Sequence, residues 1–276
     1  MRIKAPAKIN PFLQILGKRE DGFHEIWTVM QQVSLYDILT IETSEKGIHF
    51  ASDGIEIPGD ASENLAVRAV QLYAAKSGIA PDFRIHLQKN IPIGAGLGGG
   101  SSDAAAVLRG LNSRFSALSN NRLLELASEL GSDVPFFLWD TAAVCTGRGE
   151  KISPLKPGRH YYVIAVPDCH VPTAQVYKSL KFPLTKPDFN VKKVFNSLDK
   201  DLTPYLFNNM EETVLEMFPG LLSFKSRMEQ RLNKRLHMSG SGSAMVIYLR
   251  KREEAGAVGE SLKIENSSRV YVVESL

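Results

Sequence analysis

The chain has 276 residues, of which 43% are hydrophobic and 23% charged, an ordinary globular composition with room for one large domain or two medium ones. A formal net charge of +3 is too small to argue for a nucleic-acid partner, and no apolar run approaches the length of a bilayer span. Cys145 and Cys169 form neither a Cys-x-x-Cys motif nor a disulfide framework, so a reducing, cytoplasmic setting is expected, and the stretch from Met1 to Lys8 lacks the apolar core of a secretory signal.

In chain order, residues 2 to about 43 read as strands. Ile3, Ala5, Ala7 and Ile9 alternate with polar neighbours, Asp21-Gly22 supplies a turn, and further extended runs cover 26–33 and 37–42. Pro6 and Pro11 argue for an edge or irregular strand. Ser62 is positioned to cap a helix that stops at Gly78, and residues 83–87 alternate as a strand. Helices are predicted over 102–115 and 120–130, then a short strand over 142–146.

Lys156-Pro157-Gly158 reads as a boundary, because a β-branched strand over 161–166 begins a new unit. A helix over 175–180, a polar stretch reaching Pro204, and helices over 209–217 and 221–236 follow. The chain closes with strand 245–249, helix 253–262 and strand 269–274. The pattern predicts an α+β fold in two domains, 1–155 and 156–276. On the helix at 221, Phe224, Met228, Leu232 and Leu236 hold the buried stripe. Lys225, Arg227, Arg231, Lys234 and Arg235 therefore read as a solvated face rather than a nucleic-acid patch.

The most informative stretch is Pro92-Ile93-Gly94-Ala95-Gly96-Leu97-Gly98-Gly99-Gly100-Ser101-Ser102-Asp103, which opens onto an alanine-rich helix. Glycines turn through positive φ and let main-chain N–H groups converge, and the helix start adds unpaired N–H groups and a partial positive charge. Together they predict a phosphate cradle. A Walker A loop is excluded, since no lysine lies between Lys89 and the helix. Gly94, Gly96 and Gly99 match G-x-G-x-x-G, but residues 119–131 read as a second helix, so the βαβ context of a dinucleotide fold is missing.

The six histidines show no zinc-ligand spacing, and no G-x-S-x-G elbow occurs. Phosphoryl transfer would need a cation and a proton-accepting carboxylate beside the cradle. Lys8, in an apolar strand, and Asp133, in Gly131-Ser132-Asp133-Val134-Pro135, are candidates. On periodicity alone an outward-facing strand lysine is the stronger reading of Lys8, and a capping role leaves Asp133 equally open. The cluster Met238-Ser239-Gly240-Ser241-Gly242-Ser243-Ala244 is either a turn or a second loop over phosphates.

Pro92, Gly96, Leu97 and the following glycines and serines resemble the signature of the GHMP kinase superfamily, which includes galactokinase, homoserine kinase, mevalonate kinase and phosphomevalonate kinase. Ala5-Pro6-Ala7-Lys8-Ile9-Asn10, Asp21-Gly22-Phe23-His24, Gly131 to Phe137, Gly147-Arg148-Gly149-Glu150, Pro172-Thr173 and Ser239 to Gly242 extend the resemblance over nearly the whole chain. They point to one branch, whose members phosphorylate the 2-hydroxyl of 4-(cytidine 5′-diphospho)-2-C-methyl-D-erythritol in the non-mevalonate isoprenoid route.

The resemblance implies a ribosomal protein S5 domain 2-like N-terminal domain, a ferredoxin-like C-terminal domain, ATP as co-substrate and Mg2+. It makes Asp133 the general base and Lys8 its neighbouring catalytic lysine. ATP would be held by Pro92, Gly94, Gly96, Leu97, Gly98, Gly99, Gly100, Ser101 and Ser102, with Asn64 and Lys89 at the adenosine. Asn10 would lie near the methylerythritol hydroxyls. Phe23 and Tyr177 would sandwich cytosine, with His24 at its edge, and Gly240, Ser241 and Gly242 would form the second glycine loop. The implied partner is a small molecule, with no nucleic acid or membrane, on a monomer or weak homodimer. Phe23 replaces a more usual tyrosine and Ser243 a common glycine.

Overall fold

The computed structural model describes residues 1–156, 158–182, 189–195, 201–264 and 268–276. Pro157, at the predicted boundary, and parts of the predicted polar stretch before Pro204 lie outside the described residues. The elements are β1 (Arg2–Lys18), β2 (His24–Thr43), β3 (Ile48–Gly54), α1 (Leu65–Ser77), β4 (Phe83–Lys89), α2 (Gly99–Phe115), α3 (Asn120–Leu130), β5 (Ala143–Gly147), β6 (Lys151–Pro154) and β7 (Tyr161–Pro167). They continue with α4 (Thr173–Ser179), α5 (Val191–Phe195), β8 (Phe207–Asn208), α6 (Glu211–Met217), α7 (Pro219–Leu232), β9 (His237–Met238), β10 (Met245–Leu249), α8 (Arg252–Lys263) and β11 (Ser268–Glu274). Two compact units divide them. The first comprises Met1–Ala7, Leu35–Ile93 and Gly98–Asp140, the second Lys8–Ser34, Gly94–Leu97 and Thr141–Leu276.

In the first unit, β4 pairs antiparallel with residues 38–43 of β2 and parallel with β3. Phe83, Ile85 and Leu87 turn one face of β4 inward, as strict alternation requires. Helices α1 and α2 pack against each other, and Val67, Val70 and Tyr73 on the first and Ala104, Ala105 and Leu108 on the second are buried, worth about 1.5–3 kcal/mol for each larger aliphatic side chain. Asn64 caps α1 by accepting from the Ala66 N–H at 2.9 Å, and Gly78 ends it at φ 75°. Ser62 is therefore not the α1 cap; it sits in a 3-10 turn, Ala61–Glu63, capped by Asp60. Strand β3 was not predicted, because its side chains are mostly exposed and carry no apolar alternation.

In the second unit, residues 26–30 of β2 pair antiparallel with β5, which pairs with β6. Strand β1 lies between β2 and β8 in the sheet and pairs parallel with β8 at Phe12 and Leu13, so at Pro11 the two-residue β8, not β1, forms the edge. A four-stranded sheet runs β11-β7-β10-β9, with β7 antiparallel to both β10 and β11. Its core gathers Val163, Ala165, Met245, Ile247, Phe224, Met228 and Leu236.

Two details of the basic helix change. Helix α7 ends at Leu232, where Asn233 adopts φ 49°, so Leu236 reaches the core from beyond the helix. Lys225 is buried rather than solvated; its ammonium donates to Glu229 and, at 2.7 Å, to the Leu236 carbonyl. The predicted runs 26–33 and 37–42 form one continuous strand, since no glycine or proline interrupts residues 34–36.

Candidate active site

Gly94, Gly96 and Gly98 all have positive φ, 68°, 78° and 70°, the conformation that glycine adopts without a Cβ penalty. Helix α2 begins at Gly99, three residues before the predicted start. Its N-cap residue, Gly98, makes no side-chain cap bond, whereas α1 and α3 are capped by Asn64 and Ser119. The first N–H groups of α2 thus have no side-chain cap, which is the condition an anion exploits. Within that first turn the Ser102 hydroxyl is 1% exposed and has no hydrogen-bond partner among the described residues.

Beside this helix start lies a buried ion cluster. Lys89, 4% exposed, donates to Asp37 Oδ2 at 2.5 Å and to Asp103 Oδ2 at 2.7 Å. Desolvation opposes the charge on Lys89, but the two carboxylates outweigh it and raise its pKa above 10.5. Burial, opposed by Lys89 and aided by Asp37, lifts the Asp103 carboxyl to about 7. Asp133 follows α3, half-buried in the turn that leads to a 3-10 helix, Pro135–Leu138. The N-cap position of that helix is Val134, which makes no side-chain cap bond of its own.

In the second unit, four predicted segments meet. Lys8 is 5% exposed, against the outward reading that periodicity favoured, and its ammonium donates to Asn10 Oδ1 at 2.6 Å. The Lys8 N–H donates to the Leu97 carbonyl at 2.9 Å. The Asn10 side-chain amide donates to Thr28 Oγ1 at 2.9 Å, and its main-chain N–H to Ser239 Oγ at 3.2 Å. Ser239 Oγ in turn donates to the Gly96 carbonyl at 3.2 Å, and the Ala244 N–H to the Ala95 carbonyl at 3.1 Å. The second glycine cluster is therefore a partner of Gly94–Leu97 rather than an isolated turn. Gly240 and Gly242 have φ 58° and 86°. The Asn208 side-chain amide donates to the Gly240 carbonyl at 2.7 Å, and Thr173 Oγ1 lies 2.7 Å from Ser241 Oγ.

At the start of β2, His24 packs against Tyr177, ring centroids 4.9 Å apart. Burial, reinforced by Lys18, holds its pKa below the ordinary 6.5, so the imidazole is neutral at pH 7 and carries one donor and one acceptor. Phe23 is 50% exposed, with the Arg148 guanidinium 4.6 Å above its ring. The turn before it is fixed by Asp21, which accepts from the Phe23 N–H and from Arg19. Sequence reasoning assigned no role to Arg148 or to Phe182, whose ring lies nearly parallel to His24 at 6.1 Å. An exposed aromatic outside any periodic element was the signal for Phe182. Asp37 carried none, since a lone aspartate in a strand reads as an outward-facing residue.

An α+β chain with two sheets, a glycine stretch opening onto a helix without a side-chain cap, and a second glycine loop bound to the first define a kinase of the GHMP class. The family model for the GHMP kinases N terminal domain matches residues 64–141. A 4-diphosphocytidyl-2-C-methyl-D-erythritol kinase of Caldicellulosiruptor bescii is 39% identical over 96% of this chain and 94% of its own. One of Clostridium tetani is 36% identical over the full length of both. A crystal structure of 4-(cytidine 5′-diphospho)-2C-methyl-D-erythritol kinase superposes with TM-score 0.87 and 37% identity, over 100% of this chain and 99% of that one. Mevalonate kinase, at TM-score 0.69 and 13% identity, shares the fold. The chain belongs to the 4-diphosphocytidyl-2-C-methyl-D-erythritol kinase family, and it is an enzyme, a kinase. Among the described residues, no helix is long and apolar enough to cross a membrane.

Proposed function

We propose that the enzyme transfers the γ-phosphoryl of ATP to the 2-hydroxyl of 4-(cytidine 5′-diphospho)-2-C-methyl-D-erythritol, releasing ADP and the 2-phosphate, in the cytoplasm. The observation that carries the reading is the start of α2: three positive-φ glycines lead into a helix without a side-chain cap. In this reading Pro92 to Ser102 cradle the triphosphate, and the aligned N–H groups favour charge on its β and γ groups. Gly240, Ser241 and Gly242 shape the first loop from behind, with Asn64 at the adenosine.

Asp133 takes the proton of the attacking hydroxyl, and Lys8 steadies the charge that builds on the moving phosphoryl. Asn10, which already accepts from Lys8, orients the methylerythritol hydroxyls. Phe23 and Tyr177 stack the cytosine, and a neutral His24 reads its edge. Mg2+ fits this donor set as a companion of the triphosphate, because it keeps phosphate and water ligands and needs few from protein. The Ser102 hydroxyl, unpartnered among the described residues, is the chain's own oxygen offered there to a phosphate oxygen or its metal. Bound there, the ion would offset charge on the phosphates. The division into domains 1–155 and 156–276 belongs to the same proposal, as does a monomer or weak homodimer.

A panel of acceptor alcohols with coupled ADP detection tests the substrate. Rapid ADP formation is expected with the cytidine-bearing methylerythritol, and little with mevalonate, homoserine or galactose. ADP formed only with an acceptor lacking a base would overturn it. Within the same assay, Phe23→Ala should raise the acceptor KM about tenfold and leave the KM for ATP unchanged, since base–aromatic stacking is worth about 1–3 kcal/mol.

A further inference from the structure

Buried ion clusters seldom stabilise a fold, because desolvation offsets their attraction, and two carboxylates around one ammonium are worse placed than a simple pair. The cluster at Lys89 therefore calls for a geometric reason, and its bonds supply one. Asp37 Oδ1 accepts the N–H groups of Asn90 at 2.6 Å and Ile91 at 2.8 Å, the two residues that lead into Pro92. Its other oxygen holds Lys89, which reaches across to Asp103 on the first turns of α2. Contact with the helix is close: a Cβ added at Gly99 would lie 2.9 Å from Lys89 Nζ and 3.0 Å from Ile91 Cγ2. One ammonium thus ties residues 90–91, before the glycine stretch, to residues 99–103 after it.

We infer that Lys89, clamped by Asp37 and Asp103, is a positioning residue that sets the opening of the phosphate loop and so the enzyme's affinity for nucleotide. The inference rests on the proposed triphosphate site. It gives Lys89 an indirect role, since the ammonium that would meet adenosine is held by two carboxylates inside the fold.

Calorimetric titration with ADP, together with KM values for both substrates, tests it. Asp103→Ala removes the far anchor while leaving Lys89 and Asp37 paired. ADP affinity should fall, and the KM for ATP should rise, by at least about tenfold, because small displacements of binding groups have large effects. The acceptor KM should stay within about twofold, since the tether touches only the nucleotide side of the reading. Asp103→Asn, whose amide oxygen can still accept from Lys89, should recover most of the loss. Should Asp103→Ala fail to fold, Asp103→Glu, one methylene longer, should show the same nucleotide-selective loss. A folded variant that binds ADP as the unmodified protein does, a loss shared equally by both KM values, or no recovery in Asp103→Asn would overturn the inference. An unmodified protein that takes up no ADP would overturn the phosphate-loop reading, and the inference with it.

Discussion

Replacing Asp133 with alanine is expected to lower turnover at least about a hundredfold, or about 2.7 kcal/mol of transition-state stabilisation, the usual scale for a general base. ADP and acceptor binding should persist, because the side chain is proposed to act on the proton and not to hold either substrate. The fold should tolerate the change as well. Its turn is anchored by Pro135, Phe136 and Phe137, which are buried, and the Val134 and Phe137 N–H groups bond within the main chain. Steady-state kinetics beside ADP titration decides the matter. Near-normal turnover would remove Asp133 from the chemistry.

Gly96→Ala should be the most damaging single methyl group in the second unit. At φ 78° any L side chain is strained, and the added Cβ would lie 2.2 Å from the Ser239 carbonyl oxygen. That neighbour is backbone, so it cannot swing aside. Displacing it would also disturb the Ser239 hydroxyl, which bonds both the Gly96 carbonyl and the Asn10 N–H. A loss of about 2–4 kcal/mol is expected, lowering Tm by roughly 5–12 °C and abolishing most nucleotide binding. Gly256→Ala in α8 is the control, for a Cβ there meets nothing within 4 Å and its φ is not positive. It should be neutral or stabilise by about 0.5–1 kcal/mol. Thermal melts of the two variants compare them directly, and equal Tm values would refute the packing account of the two glycine loops.

Much of the local structure was legible because it depends on near neighbours. The stop of α1 at Gly78, the limits of α3 and the strand Met245–Leu249 follow from caps and apolar period. The glycine stretch was equally plain, since only a backbone needing positive φ places so many glycines before a helix. Strand β3 escaped because its pairing with β4, not its own pattern, makes it a strand. Lys8 shows the limit of periodicity. Its spacing put it outward, yet it is buried with Asn10 as partner.

By itself, then, the order of residues determined the class of fold, the helix that opens at the glycines and the family to which the enzyme belongs, because each is written in spacing along one stretch of chain. Tertiary structure decided the rest. It set Ser239 against Gly96 across 143 positions, put Arg148 over Phe23, and drew Asp37 and Asp103 onto one ammonium across 52 and 14 positions. Such partners share no period and no motif. What joins them is the cost of leaving a charge or a carbonyl unpaired once the chain has folded around it, and that cost exists only in three dimensions.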